Sequence, residues 1–251
     1  MSAPVMPGAE PESFPGGTDG VLVLHGFTGN PQSMRGLAEA IAAGGYRVEL
    51  PLLPGHGTSI EDMVPTRWSD WSQAAEAAYA ELASRCTRVA VAGLSMGGTL
   101  ATWLAGRHPE VVALIDVNPA IEPFSDETID AMRQLLASGT EIMDAIGSDI
   151  AKPGVVESAY PGTPVAPLIS LMEAMRDLGP LLGGIRCPVL VFTSTQDHVV
   201  ATTSSDLLAS SVGGPVERVV LERSYHVATL DYDREQIEAR TVEFLAKVMA
   251  G

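Results

Sequence analysis

The chain of 251 residues is poor in cysteine, in aromatic residues and in positive charge. Its two cysteines, Cys86 and Cys187, have no C-x-x-C neighbour, so we expect two buried, reduced thiols rather than a disulfide framework. The 31 acidic residues outnumber the 15 basic ones, and the net charge of -16 repels phosphate backbones and anionic lipid headgroups. This balance argues against a nucleic-acid partner.

Long apolar runs and the motifs of bound cofactors are also missing. No run approaches the roughly 18 residues of a membrane span, so no integral membrane segment is expected. The stretch from Gly55 to Ile60 begins like a dinucleotide fingerprint, but Ile60 stands where the third glycine belongs. A P-loop lysine and an H-E-x-x-H motif are absent as well. We therefore expect no metal and no organic cofactor.

The amino-terminal region does not have the pattern of a secretory signal. Its first basic residue is Arg35, and prolines interrupt the first 15 residues. We therefore expect a cytoplasmic protein, and a monomer or weak homodimer.

The rest of the chain alternates short apolar runs with helical patterns. Asn30 and Pro31 predict the start of a helix that ends near residue 44, and apolar spacing predicts another over 66–85. Continuous apolar strands that alternate with helices are typical of a parallel sheet covered on both faces. The predicted fold is α/β and doubly wound, in a single domain over 1–251. The predicted strands are 21–24, 47–50, 89–92, 111–117, 189–193 and 216–221.

The strand pattern stops for about 70 residues between Val117 and Pro188. Short helical pieces rich in leucine, isoleucine and methionine take its place. A segment that follows the carboxyl end of a strand would lie over the crevice where such sheets bind ligands. We predict a cap insertion over about 119–187; the alternative is a pair of ordinary packing helices.

A G-x-S-x-G pentapeptide lies at the junction between the strand 89–92 and the following helix. A serine on such a sharp turn projects its hydroxyl into solvent, and the flanking glycines leave room for a reacting carbonyl. We therefore predict Ser95 as a nucleophile.

A serine nucleophile needs a base, and the base needs an acid to orient it. His226 follows the strand 216–221 and Asp197 follows the strand 189–193, in the order serine, acid, histidine. Asp116 also ends a strand and is the rival acid. His198 is expected to point away from Asp197.

Two aspartates follow the predicted base closely. For Asp231 and Asp233 we predict helix capping rather than a catalytic role.

The oxyanion of an ester reaction needs two backbone N–H donors. Met96, directly after the nucleophile, supplies one, and Phe27, in the loop after strand 21–24, is predicted to supply the other. His25 is expected to hold that loop by hydrogen bonds.

Five segments together resemble the bacterial monoacylglycerol lipases and related carboxylesterases of the α/β-hydrolase superfamily, in the same order along nearly the whole chain. They are HGFTG at 25–29, GHGT at 55–58, GLSMGG at 93–98, QDHVV at 196–200 and SYHVATLD at 224–231. The resemblance implies an α/β-hydrolase fold, the triad Ser95, Asp197 and His226, and the donors Phe27 and Met96.

The resemblance also implies a small mobile cap with an apolar acyl channel and polar contacts to the alcohol. By position, Ile146 is similar to a channel-lining residue and Glu157 to a group that meets a glycerol hydroxyl; a solvated surface carboxylate is the alternative for Glu157. Residues 123–140 depart from the family pattern.

These observations favour a serine hydrolase that cleaves monoacylglycerol into glycerol and fatty acid. A general carboxylesterase, a thioesterase or a C–C hydrolase would use the same core. A hydrolase-fold binding protein without turnover is the remaining alternative, but the complete triad argues against it.

Overall fold

A computed structural model describes residues 3–145 and 147–250 and contains alternating strands and helices along most of that length. The strands are Glu12–Phe14 (β1), Asp19–Leu24 (β2), Arg47–Leu50 (β3), Arg88–Leu94 (β4), Ala113–Val117 (β5), Ile142–Asp144 (β6), Gly162–Pro164 (β7), Val189–Ser194 (β8) and Val216–Leu221 (β9). The helices are Arg35–Ala43 (α1), Ile60–Met63 (α2), Trp68–Arg85 (α3), Met96–Arg107 (α4), Asp126–Ala137 (α5), Val165–Leu182 (α6), Thr203–Ser211 (α7) and Arg234–Val248 (α8).

Seven of the described strands form one sheet in the order β1-β3-β2-β4-β5-β8-β9. Only β1 runs antiparallel to its neighbour, and the other pairs are parallel. The chain passes from β2 outward to β3 and then returns to β4 on the other side of β2. Such a reversal opens a crevice at the carboxyl ends of the strands, which is where open α/β sheets bind ligands. The predicted α/β fold is confirmed.

Alternate residues of the central strands enter two separate cores, one on each face of the sheet. Leu22 and Val91 pack with Trp71 of α3 and with α4. Val21 and Ala90 pack on the opposite face with side chains of α1 and α8. Because both faces are covered, these strands are apolar throughout rather than alternating.

The first predicted helix begins later than expected. Asn30 accepts a hydrogen bond from Gln32 N (3.0 Å), but the turn that it caps, Pro31–Ser33, is a 3₁₀ helix. The amide of Met34 bonds to the carbonyl of Pro31, three residues back, which closes this tighter turn before α1 starts at Arg35.

The segment between β5 and β8 holds α5, α6 and a hairpin that the sequence did not predict. β6 and β7 pair antiparallel, with Met143 opposite Thr163. The expectation that this segment has no strands is therefore wrong. Each strand has three residues, too short to show an alternating pattern.

A separate apolar cluster holds the helices of this segment together. Ile129 of α5 packs with Ile169 and Met172 of α6. Farther along α6, Leu178 and Leu182 belong to the core beneath the sheet. One helix therefore connects the predicted cap to the body of the fold.

The cysteines differ in one respect from the prediction. Cys86 and Cys187 are both free thiols, but each is half-buried rather than buried.

Among the described residues, no helix has the length and apolar character needed to cross a bilayer.

Candidate active site

Ser95 occupies a sharp turn between the end of β4 and the start of α4. Its backbone has φ +56° and ψ -119°, a conformation that residues other than glycine rarely adopt. The amide of Ser95 donates to the carbonyl of Val117 (3.0 Å), and its carbonyl accepts from Thr99 N (3.0 Å). The neighbouring strand and the first turn of α4 thus hold the strained residue.

The glycines of the pentapeptide make this turn possible. A Cβ atom at Gly93 would collide with the backbone of Gly97, and a Cβ atom at Gly97 would collide with the carbonyl of Leu24. Any larger residue at either position would push α4 away from β4 and β2. The strand-to-helix turn therefore depends on both glycines.

His226 and Asp197 are joined by a hydrogen bond between Nδ1 and Oδ2, 2.7 Å long. Their side chains are 8% and 2% exposed, so little water competes for this contact. Asp197 Oδ1 accepts from the amides of Val199 and Val200, both at 2.8 Å. Because a carboxylate only accepts, His226 carries its proton on Nδ1 and leaves Nε2 free to accept one.

Asn118, at the end of β5, holds the loop of His226 against the sheet. Its Nδ2 donates to the carbonyl of His226 (2.8 Å) and to Ser194 Oγ (2.9 Å), and its Oδ1 accepts from Ser194 N (2.7 Å). Its φ of +45° is a strained value for a residue that is not glycine. The sequence pattern did not lead to a prediction for Asn118. The available signal was its position directly after an apolar strand, two residues beyond Asp116.

Asp116 does not approach His226. Its carboxyl is buried under α4, where Oδ2 accepts from Thr102 Oγ1 (2.9 Å). Burial raises the pKa of Asp116 well above its ordinary value. The structure brings Asp197, and not this rival, to the histidine.

The segments that carry the two predicted oxyanion donors both lie next to Ser95. Met96 N–H is the first amide of α4, and a Cβ at Gly26, next to Phe27, would lie 3.5 Å from the Cβ of Ser95. Within the described residues, the amides of Phe27 and Met96 donate no hydrogen bond. Both amides are therefore available to a ligand oxygen.

His25 holds the loop that carries Phe27. The amide of Leu53 donates to His25 Nε2 (3.1 Å), and the Nδ1 of His25 donates to the carbonyl of Gly26 (3.1 Å). Burial, and secondarily the neighbouring His56, lower the pKa of His25 to about 3. A neutral imidazole at this position fits the predicted structural role.

A cavity of about 290 Å³ opens above Ser95 and His226. Phe27 lines one side, edge-on to the Trp71 ring at 5.6 Å. The predicted cap contributes the carboxylates of Asp144, Asp149 and Glu157 to this cavity and a larger set of apolar side chains, which includes Phe124, Met143, Leu168, Leu171, Met172 and Met175. An extended hydrocarbon chain fits these surroundings better than a polar one.

The sequence profile of the alpha/beta hydrolase family matches residues 21–240. The chain belongs to this family. It is 44% identical over 248 residues to a thermostable monoacylglycerol lipase of Bacillus sp. (strain H-257), with 97% of each chain covered. It is 28% identical to a carboxylesterase of Bacillus subtilis (strain 168), over 95% of this chain and 97% of that one. These relatives confirm the resemblance that the five segments predicted.

Solved structures agree with this assignment. A structure from the work on LipS and LipT, two metagenome-derived lipolytic enzymes, has a TM-score of 0.92 and 42% identity, over 97% of this chain and all of that one. The monoacylglycerol lipase of Paleococcus ferrophilus has a TM-score of 0.74 at 16% identity, over 94% and 98% of the two chains, and shows the fold alone.

Glu157 reaches the cavity of this hydrolase from the segment between β6 and β7. Its Oε1 would lie 2.7 Å from a Cβ at Gly29, so the carboxyl rests against the loop after β2. Burial raises the pKa of Glu157, while the nearby His226 opposes the shift. Its position is not that of a solvated surface carboxylate. Ile146 lies outside the described residues.

The side chains of Asp231 and Asp233 do not make the predicted capping bonds, although Asp233 occupies the N-cap position of α8. Asp233 precedes α8, but its Oδ2 accepts from Arg223 N (3.0 Å) and Ser224 Oγ (2.8 Å). The Oδ2 of Asp231 accepts from Tyr225 N (2.9 Å) and Ala151 N (2.7 Å). Both side chains turn back because the buried loop around His226 has amides that need acceptors.

His198 points away from Asp197, as its position predicted. Its side chain is 56% exposed, and its Nδ1 lies 2.8 Å from Asp149 Oδ1. The sequence reading missed Asp149, because a single carboxylate in a loop has no pattern that marks it.

No group of three or more histidine, cysteine, aspartate or glutamate side chains among the described residues is arranged to hold a metal ion.

Proposed function

We propose that this chain hydrolyses monoacylglycerol to glycerol and a fatty acid, through an acyl-enzyme on Ser95. The chain is a carboxylic ester hydrolase. The observation that carries the proposal is the 2.7 Å bond between Asp197 and His226, which lines a largely apolar cavity together with Ser95. The two relatives described above, a monoacylglycerol lipase and a carboxylesterase, support the same bond type.

In the first half of the reaction, Ser95 Oγ attacks the ester carbonyl while His226 Nε2 takes the hydroxyl proton. The carbonyl oxygen becomes an oxyanion that accepts hydrogen bonds from the amides of Phe27 and Met96. Such a donor typically contributes about 3 kcal/mol to the transition state. Asp197 stabilises the imidazolium that forms. The bond from the carbonyl carbon to the glycerol oxygen then breaks, and His226 returns the proton to that oxygen.

In the second half, water replaces glycerol. His226 Nε2 takes a proton from the water as its oxygen attacks the acyl carbon, and the same two amides hold the second oxyanion. The bond to Ser95 Oγ breaks, and the proton passes from His226 to that oxygen. A fatty acid leaves, and the free enzyme is restored.

The cap segment selects the substrate in this proposal. The acyl chain lies along the apolar side chains of α6, with Leu168 and Met172 on its path. The carboxyl of Glu157 accepts a hydrogen bond from a free glycerol hydroxyl.

Rates across a series of esters test the substrate assignment. We expect kcat/KM to be highest for monoacylglycerols of medium or long acyl chain, compared with diacylglycerols and with p-nitrophenyl esters. If short p-nitrophenyl esters exceed every monoacylglycerol, the chain is a general carboxylesterase and the proposal fails. A faster reaction with acyl thioesters would instead assign a thioesterase.

The proposal also includes a cytoplasmic location and a monomer or weak homodimer. Free thiols at Cys86 and Cys187 fit a reducing compartment. Fractionation of the producing cells and light scattering of the purified protein measure the two properties.

A further inference from the structure

We propose that Asp149, in the segment between β6 and β7, is a positioning residue that aligns the base and the acid of the triad. The inference rests on the proposed roles of His226 and Asp197. It adds a residue that contributes to the rate of every ester reaction without handling the proton or the leaving alcohol.

One carboxylate receives hydrogen bonds from both triad loops. Asp149 Oδ2 accepts from His226 N (3.0 Å) and from His198 N (3.2 Å), the residue directly after Asp197. Asp149 Oδ1 accepts from the ring of His198 (2.8 Å). The side chain of Asp149 is buried, and so is its bond to His226 N, whereas its bonds to His198 are partly exposed. Asp149 thus joins the two triad loops through one side chain, in addition to the bonds that Asn118 makes from the sheet.

Asp149 completes the support of His226 on the side opposite the sheet. The carbonyl of His226 is bound by Asn118, and its amide is bound by Asp149. The next amide, Val227 N, donates to the carbonyl of Asp149 (3.1 Å). Without the side chain of Asp149, the amides of His226 and His198 lose their acceptor, and only the main-chain bond from Val227 N still joins this segment to the loop of His226.

The segment of Asp149 also donates hydrogen bonds to the loop of His226, and these bonds keep Asp149 in place. Asp231, beyond His226 in the chain, accepts from the amides of Ala151 (2.7 Å) and Lys152 (2.9 Å). The segment of Asp149 and the loop of His226 therefore each contribute a buried carboxylate that accepts hydrogen bonds from the backbone amides of the other.

Asp149 also borders the cavity, so a direct contact with substrate is the competing role. A substrate contact would change KM and depend on the alcohol. A positioning role lowers kcat for every ester, because a shift of about 1 Å in a reacting group can cost about 100-fold in rate.

The experiment compares Asp149→Ala and Asp149→Asn in the full chain, on a monoacylglycerol and on a p-nitrophenyl ester with the same acyl group. We expect Asp149→Ala to lower kcat by about 100-fold on both esters, with KM unchanged. Asp149→Asn should recover most of that loss, because the amide oxygen can accept from both backbone amides while its NH₂ donates to the His198 ring.

Asp130→Asn is the matched control, since this exposed carboxylate on α5 pairs with Arg133 on the surface, and it should retain the wild-type rate. Asp149→Glu keeps the charge but moves the oxygens by one methylene, and it should lower kcat even if Asp149→Ala does not fold.

Wild-type kcat in Asp149→Glu, a loss confined to KM or to the monoacylglycerol, or an equal loss in Asp149→Asn and Asp149→Ala would overturn the inference. A wild-type enzyme that prefers the p-nitrophenyl ester would refute only the proposed substrate, because the Asp149 comparison can still be made on that ester.

Discussion

The carboxyl edge of the sheet and the segment that covers it differ in what determines the positions of their functional side chains. At the edge, Ser95, Asn118 and Asp197 each follow a strand, and parallel pairing brings the strand ends together. In the covering segment, Asp149 and Glu157 lie in a loop between two three-residue strands. Their places depend on contacts with distant parts of the chain. The proposed chemistry thus belongs to a regular part of the molecule and the proposed selection of substrate to an irregular one.

The largest expected effect tests the edge of the sheet. Asp197→Asn should lower kcat by about 10⁴-fold, as in protease triads, because an amide cannot stabilise the imidazolium of His226. Steady-state rates on a monoacylglycerol measure the loss, with Ser95→Ala as the inactive reference. Asp116→Asn should stay near the wild-type rate. If Asp116→Asn proves the more damaging change, the acid has been assigned to the wrong strand.

A second prediction concerns the apolar wall of the cap segment. Leu168→Trp should lower kcat/KM about tenfold or more for long acyl chains relative to a four-carbon chain, because the half-buried Leu168 lines the cavity and a larger ring occupies it. Leu168→Met, which nearly conserves volume, is the control. An equal loss for all chain lengths would place the acyl group elsewhere.

A third prediction concerns the polar side of the same segment. Glu157→Gln should lower kcat/KM for a monoacylglycerol by about tenfold, because a hydrogen bond to a charged acceptor is worth roughly 1.5–3 kcal/mol. The matched p-nitrophenyl ester, which has no glycerol hydroxyl, should change little. Glu173→Gln, on the exposed face of α6, is the control. The glycerol contact is disproved if both esters lose rate alike.

The smallest expected effect is on stability and concerns Asp116, in strand β5 of the sheet. Burial raises the pKa of Asp116, so its ionisation is disfavoured in the fold. The stability that the protonated group provides is present below its unfolded pKa of about 3.9 and is lost as pH rises through the folded value. Asp116→Asn should therefore raise Tm by a few degrees at pH 8, on the order of 1 kcal/mol, and by less near pH 4. Thermal unfolding of the wild type and of Asp116→Asn at both pH values measures the change in Tm. An equal change in Tm at pH 8 and at pH 4 would show that Asp116 is not protonated in the fold.

Six of the seven strands of the sheet, all except β1, were predicted with errors of only a few residues at their boundaries, because their signals are local. The apolar run before Gly93 marks β4, and the pentapeptide marks the turn at Ser95. The hairpin of β6 and β7 was missed, since strands of this length bury too few side chains to show a period. The roles of Asp231 and Asp233 were misjudged because the amides that donate to them lie before them in the chain, in the loop of Arg223 to Tyr225.

The sequence by itself determined the α/β fold and the candidate nucleophile, base and acid, since each depends on a short motif at the end of a strand. Only the tertiary structure decided which aspartate meets His226, and that Asp149 and Asn118 hold its backbone from opposite sides. The physical reason is that a motif specifies local backbone geometry. The partner of a buried carboxylate depends instead on which donors folding brings to it from elsewhere in the chain.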